Sequence, residues 1–372
     1  MKYYVIAGEA SGDLHASNLM KELKIEDNQA DFRCWGGDLM ENQGGVLVKH
    51  FRDLAFMGFV EVVMNLRTIL RNLNFCKKDI LKYNPDVLIL VDYPGFNLRI
   101  AEFAHKKGIK VFYYISPTIW AWKKSRVNKI KRDVDHMFTI LPFEKDFYAQ
   151  YNCQVDYPGN PLLDAIDYEW SKDAKQDFLN RNNIENRSLV ALLPGSRKQE
   201  VTKMLSIMMQ VSEHYKDHQF VIAGAPSLEL EFYQSIIGNH PIKLLFGQTQ
   251  DVLKYSDAAL VTSGTATLEA AILGVPEALC YIGNPISIAI AKRLVKIKYI
   301  GLPNLIMDRP IIKEFIQEAV TVESLKQELD RLLFDVGYRQ QQQLEYDLLR
   351  QKLGGKGASS RTARLMFKYL TN

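Results

Sequence analysis

The chain has 372 residues, of which 47% are hydrophobic and 24% charged, and its net charge is +4. That is long for one core and comfortable for two domains, with an ordinary soluble globular composition and a charge too mild to imply nucleic acid. Its four cysteines, Cys34, Cys76, Cys153 and Cys280, are far apart, lack metal-ligand spacing and read as small core residues of a reducing compartment.

The opening M-K-Y-Y-V-I-A-G-E-A-S-G-D runs straight into a strand, so no signal peptide is expected. No apolar run approaches the ~18 residues of a spanning helix. Lys2–Ala7 is an apolar strand, residues 8–12 a tight small-residue loop, and Asp13 the expected cap of a helix over 15–23. The order is Rossmann-like, but G-E-A-S-G-D is not G-x-G-x-x-G, so a dinucleotide is not inferred. Residues 32–35 form a second strand.

Residues 56–78, F-M-G-F-V-E-V-V-M-N-L-R-T-I-L-R-N-L-N-F-C-K-K, combine large apolar side chains with Arg67, Arg71, Lys77 and Lys78. Such a segment either lies in a membrane interface, with Phe59, Arg67 and Arg71 facing it, or packs as a core helix with a solvated basic face. Residues 86–91, D-V-L-I-L-V, are the continuous apolar run of a buried parallel strand. That strand ends in Asp92, at the position where open parallel sheets bind ligands and also where helix caps fall. Residues 109–115 are the next strand, leading to Ser116-Pro117, Trp120 and Trp122 and then to the densely basic run 123–132. The basic run suits phosphates of a ligand or bilayer, or a solvated helix face. Residues 135–140 are a further strand.

Y-P-G-N-P at 157–161 breaks the alternation, and the polar stretch 164–186 follows. The domain boundary is expected here. Then the opening is restated: an apolar strand from Ser188 to Leu193, the turn Pro194-Gly195-Ser196-Arg197, and a helix over 200–211. Arg197 at a helix start is a plausible diphosphate ligand, because a guanidinium and free N–H groups converge there. Residues 219–223 and 242–246 continue the strands. Residues 258–261 lead through Thr262, Ser263, Gly264 and Thr265 into a helix over 266–273 and a strand Glu277–Tyr281. The small residues let a ligand approach the backbone at a helix N-terminus, which favours an anion such as phosphate. Glu269, one turn into the helix, is placed to accept hydrogen bonds from sugar hydroxyls. A second basic amphipathic segment spans 285–299, a turn-rich loop 301–305, and helix runs from Val322 to the end with Gly354-Gly355 before a last helix over 358–370. Two Rossmann-like α/β/α domains follow, residues 1–163 and 164–355, with a terminal helix at about 356–372 returning to the first. No P-loop, H-E-x-x-H motif, Cys/His zinc pattern or G-x-S-x-G elbow is present, so kinase chemistry and metallohydrolysis have no support.

The motifs A-G-E-A-S-G-D (7–13), M-G-F-V-E-V (57–62), D-Y-P-G-F-N (92–97), Y-I-S-P-T-I-W-A-W (114–122), L-P-F-E-K (141–145), L-L-P-G-S-R (192–197), S-G-T-A-T-L-E (263–269) and G-L-P-N-L (301–305) occur in one order over most of the chain. Together the set closely resembles the lipid-A-disaccharide synthase family of inverting glycosyltransferases of GT-B type, in which two Rossmann-like domains face each other across a cleft. The resemblance implies that UDP-2,3-diacylglucosamine is joined to 2,3-diacylglucosamine 1-phosphate (lipid X), giving a β-1,6-linked disaccharide and UDP. It places this at the cytoplasmic face of the inner membrane of Gram-negative bacteria, on a cytoplasmic protein bound peripherally. A homodimer is compatible with the sequence.

On that resemblance the first domain binds the acceptor and the second the donor. Asp92 is the leading general base, matching the family's D-x-P-x-F-N aspartate. His15 is second, beside its reading as a surface histidine at a helix start. Glu9 and Ser11 orient the acceptor. Arg197, Ser263, Gly264, Thr265 and Glu269 hold UDP, and Asn304 contacts the donor sugar or uracil. No cofactor and no metal are expected. Gly95 departs from the family, many of whose members carry an acidic residue there. The alternatives are another GT-B enzyme acting on UDP-N-acetylglucosamine, as an N-acetylglucosaminyltransferase or 2-epimerase, and a non-catalytic nucleotide-sugar-binding membrane scaffold.

Overall fold

The computed structural model describes residues 1–53, 66–122, 126–167, 171–283 and 298–372. The chain divides into two compact units, Met1–Ala165 with Leu353–Asn372, and Ile166–Lys352.

In the first unit, β1 (Lys2–Ala7), β2 (Asp31–Gly36), β3 (Val46–His50), β4 (Val87–Val91), β5 (Lys110–Tyr114) and β6 (His136–Phe138) form one sheet in the order β3-β2-β1-β4-β5-β6. In the second, β7 (Ser188–Leu193), β8 (His218–Gly224), β9 (Lys243–Phe246), β10 (Ala258–Thr262), β11 (Glu277–Tyr281) and β12 (Lys313–Ile316) take the order β12-β11-β10-β7-β8-β9. Every pairing is parallel. Counted within each unit, both sheets read 3-2-1-4-5-6, the doubly wound Rossmann order. The order reverses between β1 and β4 in one unit and between β7 and β10 in the other. These are the two topological switch points.

The strand sequences explain the layering. β4 is V-L-I-L-V and buried throughout, as a strand covered by helices on both faces must be. Along β1, Tyr4 and Ile6 pack with Leu73, Ile80, Phe96 and Ile100 on one face of the sheet. Tyr3, Val5 and Ala7 pack with Leu19, Met20, Leu23 and Met366 on the other. Val190, Leu192 and Leu260 share one face of the second sheet, while Leu189, Ala191 and Val261 share the other. Strands β3 and β12 went unread in the sequence. Both are short strands at sheet edges, and β3 carries no fully buried residue.

The terminal helix, Ala358–Thr371, packs against the first helix, Ala10–Glu26, in the first unit. Its apolar side, Ala363 and Met366, is fully buried. Its N-terminus is held by the Asp164 carboxylate, which accepts from the backbone N–H groups of Gly357 (2.5 Å) and Ser359 (2.7 Å). An acid at this end of a helix also complements its dipole.

The helix start near the first glycine loop differs from expectation. The helix begins at Ala10, with Glu9 at the N-cap position and no side-chain cap. Asp13 does not cap it. Its carboxylate instead accepts from the N–H groups of Gly37 (2.7 Å), Leu39 (3.1 Å) and Met40 (3.2 Å), capping the short helix Asp38–Asn42. A buried carboxylate requires several donors, and the β2 exit supplies three at once, which the local sequence around Asp13 could not reveal.

Candidate active site

Each switch point gathers residues of opposite character. In the first unit, β4 ends in Asp92 and Tyr93, both in the left-handed region at φ +43° and +49°. The chain then enters the helix Pro94–Lys106 at once. This tight reversal leaves the Asp92 side chain at the tip of the sheet instead of continuing the strand. Asp92 is only partly exposed. Burial, and after it the Glu9 carboxylate, push its carboxyl up to about 7, with the Tyr93 backbone N–H partly offsetting them. Tyr93 is raised by the same two causes, burial first and Glu9 second, so Glu9, Asp92 and Tyr93 sit as one group. Gly8 belongs with them: a Cβ there would fall 2.4 Å from the Tyr93 ring, so only glycine lets that ring lie against the β1 loop. Ser11 is exposed in the first turn of the first helix. At Gly95 a Cβ would meet no atom within 4 Å, so open space stands beside this turn.

His15 is in a different setting. It is 6% exposed, which removes the surface reading. Burial pulls its imidazole down to about 4, opposed in part by Asp164. Its buried Nδ1 has no hydrogen-bond partner among the described residues. The charge that reaches His15 is Asp164, on the side where the terminal helix docks; the charge that reaches Asp92 is Glu9.

In the second unit, two turns flank the switch point. After β7, Gly195 adopts φ +110°, and a Cβ there would press on the Glu200 side chain. Arg197 occupies the N-cap position of the helix Lys198–Ser212 with no side-chain cap. Its guanidinium is mostly exposed and donates to Glu200 Oε1 at 3.0 Å. After β10, Gly264 adopts φ +151° at the N-cap of the helix Thr265–Leu273, again without a side-chain cap. Two helix N-termini without a side-chain cap and one exposed guanidinium thus lie beyond the strands that flank this switch point, the kind of setting in which proteins bind anions. Glu269 is half-buried, and burial raises its carboxyl. None of the hydrogen bonds or ion pairs among the described residues engages it, which suits a group reserved for hydroxyl donors.

Asn304 requires a correction. It is fully buried. Its Nδ2 donates to Ile312 O (2.9 Å) and Glu314 Oε1 (2.8 Å), and its Oδ1 accepts from the N–H groups of Ile311 (2.7 Å) and Ile312 (2.9 Å). Both donors and both acceptor positions of the amide are used. The side chain is a clamp on its own loop and is not available to a sugar or base. Glu314, unremarked in the sequence, completes the clamp by accepting from the N–H groups of Ile300 and Gly301, both at 3.0 Å. Ser263 Oγ in turn donates to Ile300 O at 3.3 Å, tying the Gly264 turn to that loop. Phe59, the 57–62 motif and most of the 285–299 segment lie outside the described residues.

Two parallel sheets of Rossmann order, each with ligand-ready turns at its switch point, define the GT-B class of fold. Solved structures agree: a UDP-GlcNAc 2-epimerase from Methanocaldococcus jannaschii in complex with UDP-GlcNAc and UDP matches with TM-score 0.66 at 15% identity, over 99% of this chain and 100% of that one. A Neisseria meningitidis UDP-GlcNAc 2-epimerase bound to UDP-GlcNAc matches with TM-score 0.62 at 13% identity, over the full length of both. Within that class, the family model for lipid-A-disaccharide synthetase matches residues 3–367, and the chain belongs to this family. Lipid-A-disaccharide synthases from Trichlorobacter lovleyi and Syntrophus aciditrophicus are 37% and 38% identical to it, the first covering 97% of this chain and 96% of the relative, the second 96% and 95%.

Proposed function

We propose that this protein is a lipid-A-disaccharide synthase, an inverting glycosyltransferase joining UDP-2,3-diacylglucosamine to lipid X with release of UDP. Family membership over nearly the whole chain carries the reading. The second unit binds the donor. The Gly195–Arg197 and Ser263–Thr265 turns receive the diphosphate, and Glu269 accepts from hydroxyls of the nucleoside. The first unit binds the acceptor beside Glu9 and Ser11, and Asp92 removes the proton from its 6-hydroxyl. Three features favour Asp92 over His15: its place at a strand tip, its grouping with Glu9, and a carboxyl near neutrality, where a general base works best. As that proton leaves, the acceptor oxygen attacks the anomeric carbon and the C–O bond to UDP breaks. The anionic leaving group is met by dipoles and a cation that are already in place.

Both substrates carry acyl chains, and the helix Leu66–Tyr83 offers a surface for them. Leu73, Cys76 and Ile80 are buried on one side, while Leu70 (48% exposed) and Phe75 (47%) lie open on the other. Arg67, Leu70, Arg71, Asn74, Phe75 and Lys78 line a surface depression of about 500 Å³. Exposed apolar side chains interleaved with cations suit an anionic bilayer surface, and no described helix is long and apolar enough to cross one.

The test is turnover of UDP-2,3-diacylglucosamine and lipid X by the purified protein. Disaccharide 1-phosphate and UDP in equal amounts support the assignment; turnover of non-acylated UDP-N-acetylglucosamine alone would overturn it. For the surface, Arg67→Glu with Arg71→Glu is expected to reduce sedimentation with anionic vesicles. Unchanged sedimentation would mean that this face is simply solvated.

A further inference from the structure

Asp92 is held by more than its place at a strand end. Two consecutive non-glycine residues in the left-handed region are uncommon and persist only where the surroundings over-determine them. Here the surroundings are explicit. The Asp92 N–H donates to Tyr114 O at 3.0 Å. The Asp92 carbonyl accepts twice from behind, from the Tyr113 hydroxyl at 2.5 Å and from Asn97 Nδ2 at 2.8 Å. The same Asn97 amide also reaches Val91 O at 3.2 Å and Ile6 O at 3.5 Å, so it ties the ends of β4 and β1 together. From the front, the Tyr93 ring lies against Gly8 and stacks on Phe96 at 5.5 Å. The Asp92–Tyr93 peptide is therefore gripped on both sides.

We propose that Tyr113 and Asn97 are positioning residues for the reaction: by holding the Asp92 carbonyl they lock a strained strand-to-helix elbow that keeps the Asp92 carboxylate aimed at the acceptor. The arrangement has the logic of a nucleophile elbow, in which a strained turn at the top of a parallel sheet presents one reactive side chain, here built for a carboxylate. Tyr113 and Asn97 are both completely buried. Neither can touch a substrate, so each acts through Asp92. Two residues of one motif, D-Y-P-G-F-N, thus divide the work: its aspartate carries the base and its asparagine holds the backbone, while Tyr113 comes from the neighbouring strand. The inference rests on the assignment of Asp92 as the base.

Among the described residues, the charged and titratable groups that reach this elbow are Glu9 and Tyr93 beside Asp92, and Tyr148 and Arg126 beyond Tyr113. Tyr113→Phe removes one hydroxyl and none of the ring that fills the core. The purified variant should melt as a folded protein. Its kcat is expected to fall about 10- to 100-fold with KM for both substrates within about twofold, since a displacement of about 1 Å at a catalytic group costs rate and not binding. The acid limb of its pH–rate profile, which reports the base, should move toward lower pH as Asp92 gains water. Gly8→Ala, which pushes on Tyr93 from the other side, should give the same signature and stands in if Tyr113→Phe does not fold. Wild-type kcat with an unmoved acid limb in both variants would overturn the proposal, as would a fall in kcat with the limb in place. Asp92→Asn separates the two levels. If it retains turnover, Asp92 is not the base and the elbow has nothing to aim. If it abolishes turnover while Tyr113→Phe behaves as wild type, only the elbow fails.

Discussion

The two switch points share one topology and differ in almost everything a ligand would meet. The first presents acids: Asp92, raised by burial and by Glu9, on a strained non-glycine turn. The second presents glycines at φ +110° and +151°, uncapped helix starts and the exposed Arg197 guanidinium. A doubly wound sheet decides where a ligand goes, and the few residues beyond the strand ends decide which charge it carries. Strain is used differently as well. Glycine admits positive φ at no steric cost and brings backbone N–H groups close to an anion. Asp92 and Tyr93 bear that conformation at a cost, because a side chain is what must be presented there.

The comparison breaks most readily at Asp92. Asp92→Asn should lower kcat by about 10²–10⁴-fold, the range for loss of a general base, while titration calorimetry finds UDP affinity unchanged. Loss of UDP binding would mean that the two switch points do not divide the chemistry. In the wild type, activity should rise with pH as Asp92 ionises near 7; a flat profile from pH 5 to 8 would contradict that value.

Arg197→Ala should act in the opposite manner. UDP affinity is expected to fall about 10- to 100-fold, the worth of a charge-assisted contact to phosphate, with the acid limb unmoved. Asn304→Ala should cost stability, about 1–3 kcal/mol for the buried partners left unsatisfied, read as a lower melting temperature. If melting were unchanged and UDP binding collapsed, the amide would be a ligand contact after all. The smallest effect concerns His15. Its folded pKa lies below the ordinary histidine value, so it contributes stability that is present above about 6.5 and lost as pH falls toward about 4. His15→Asn should flatten that part of the stability profile; an unchanged slope would place the titration elsewhere.

Much of this was legible in the chain alone, and the reasons are local. Runs such as V-L-I-L-V announce buried parallel strands, a repeated strand–glycine turn–helix announces two similar units, and the motif order specifies the family. Glu269 one turn after Thr265, and Arg197 at a helix start, follow from helical spacing and hold in the structure. What was not legible depends on partners far away in sequence. Asp13 serves backbone groups 24 to 27 residues on. Asn304 lies in a turn-rich motif that reads as a ligand loop until Glu314 and the Ile311–Ile312 backbone are seen to claim its amide. His15 looks exposed at a helix start until the terminal helix and Asp164 are found nearby. Sequence by itself determined the periodicities, the switch-point residues and the family, because each is written in neighbours along the chain. Only the tertiary structure decided which polar groups are already satisfied, since a hydrogen-bond partner brought from another strand removes a side chain from the pool a ligand could use. That is why it keeps Asp92 and Glu269 as candidates and withdraws Asn304.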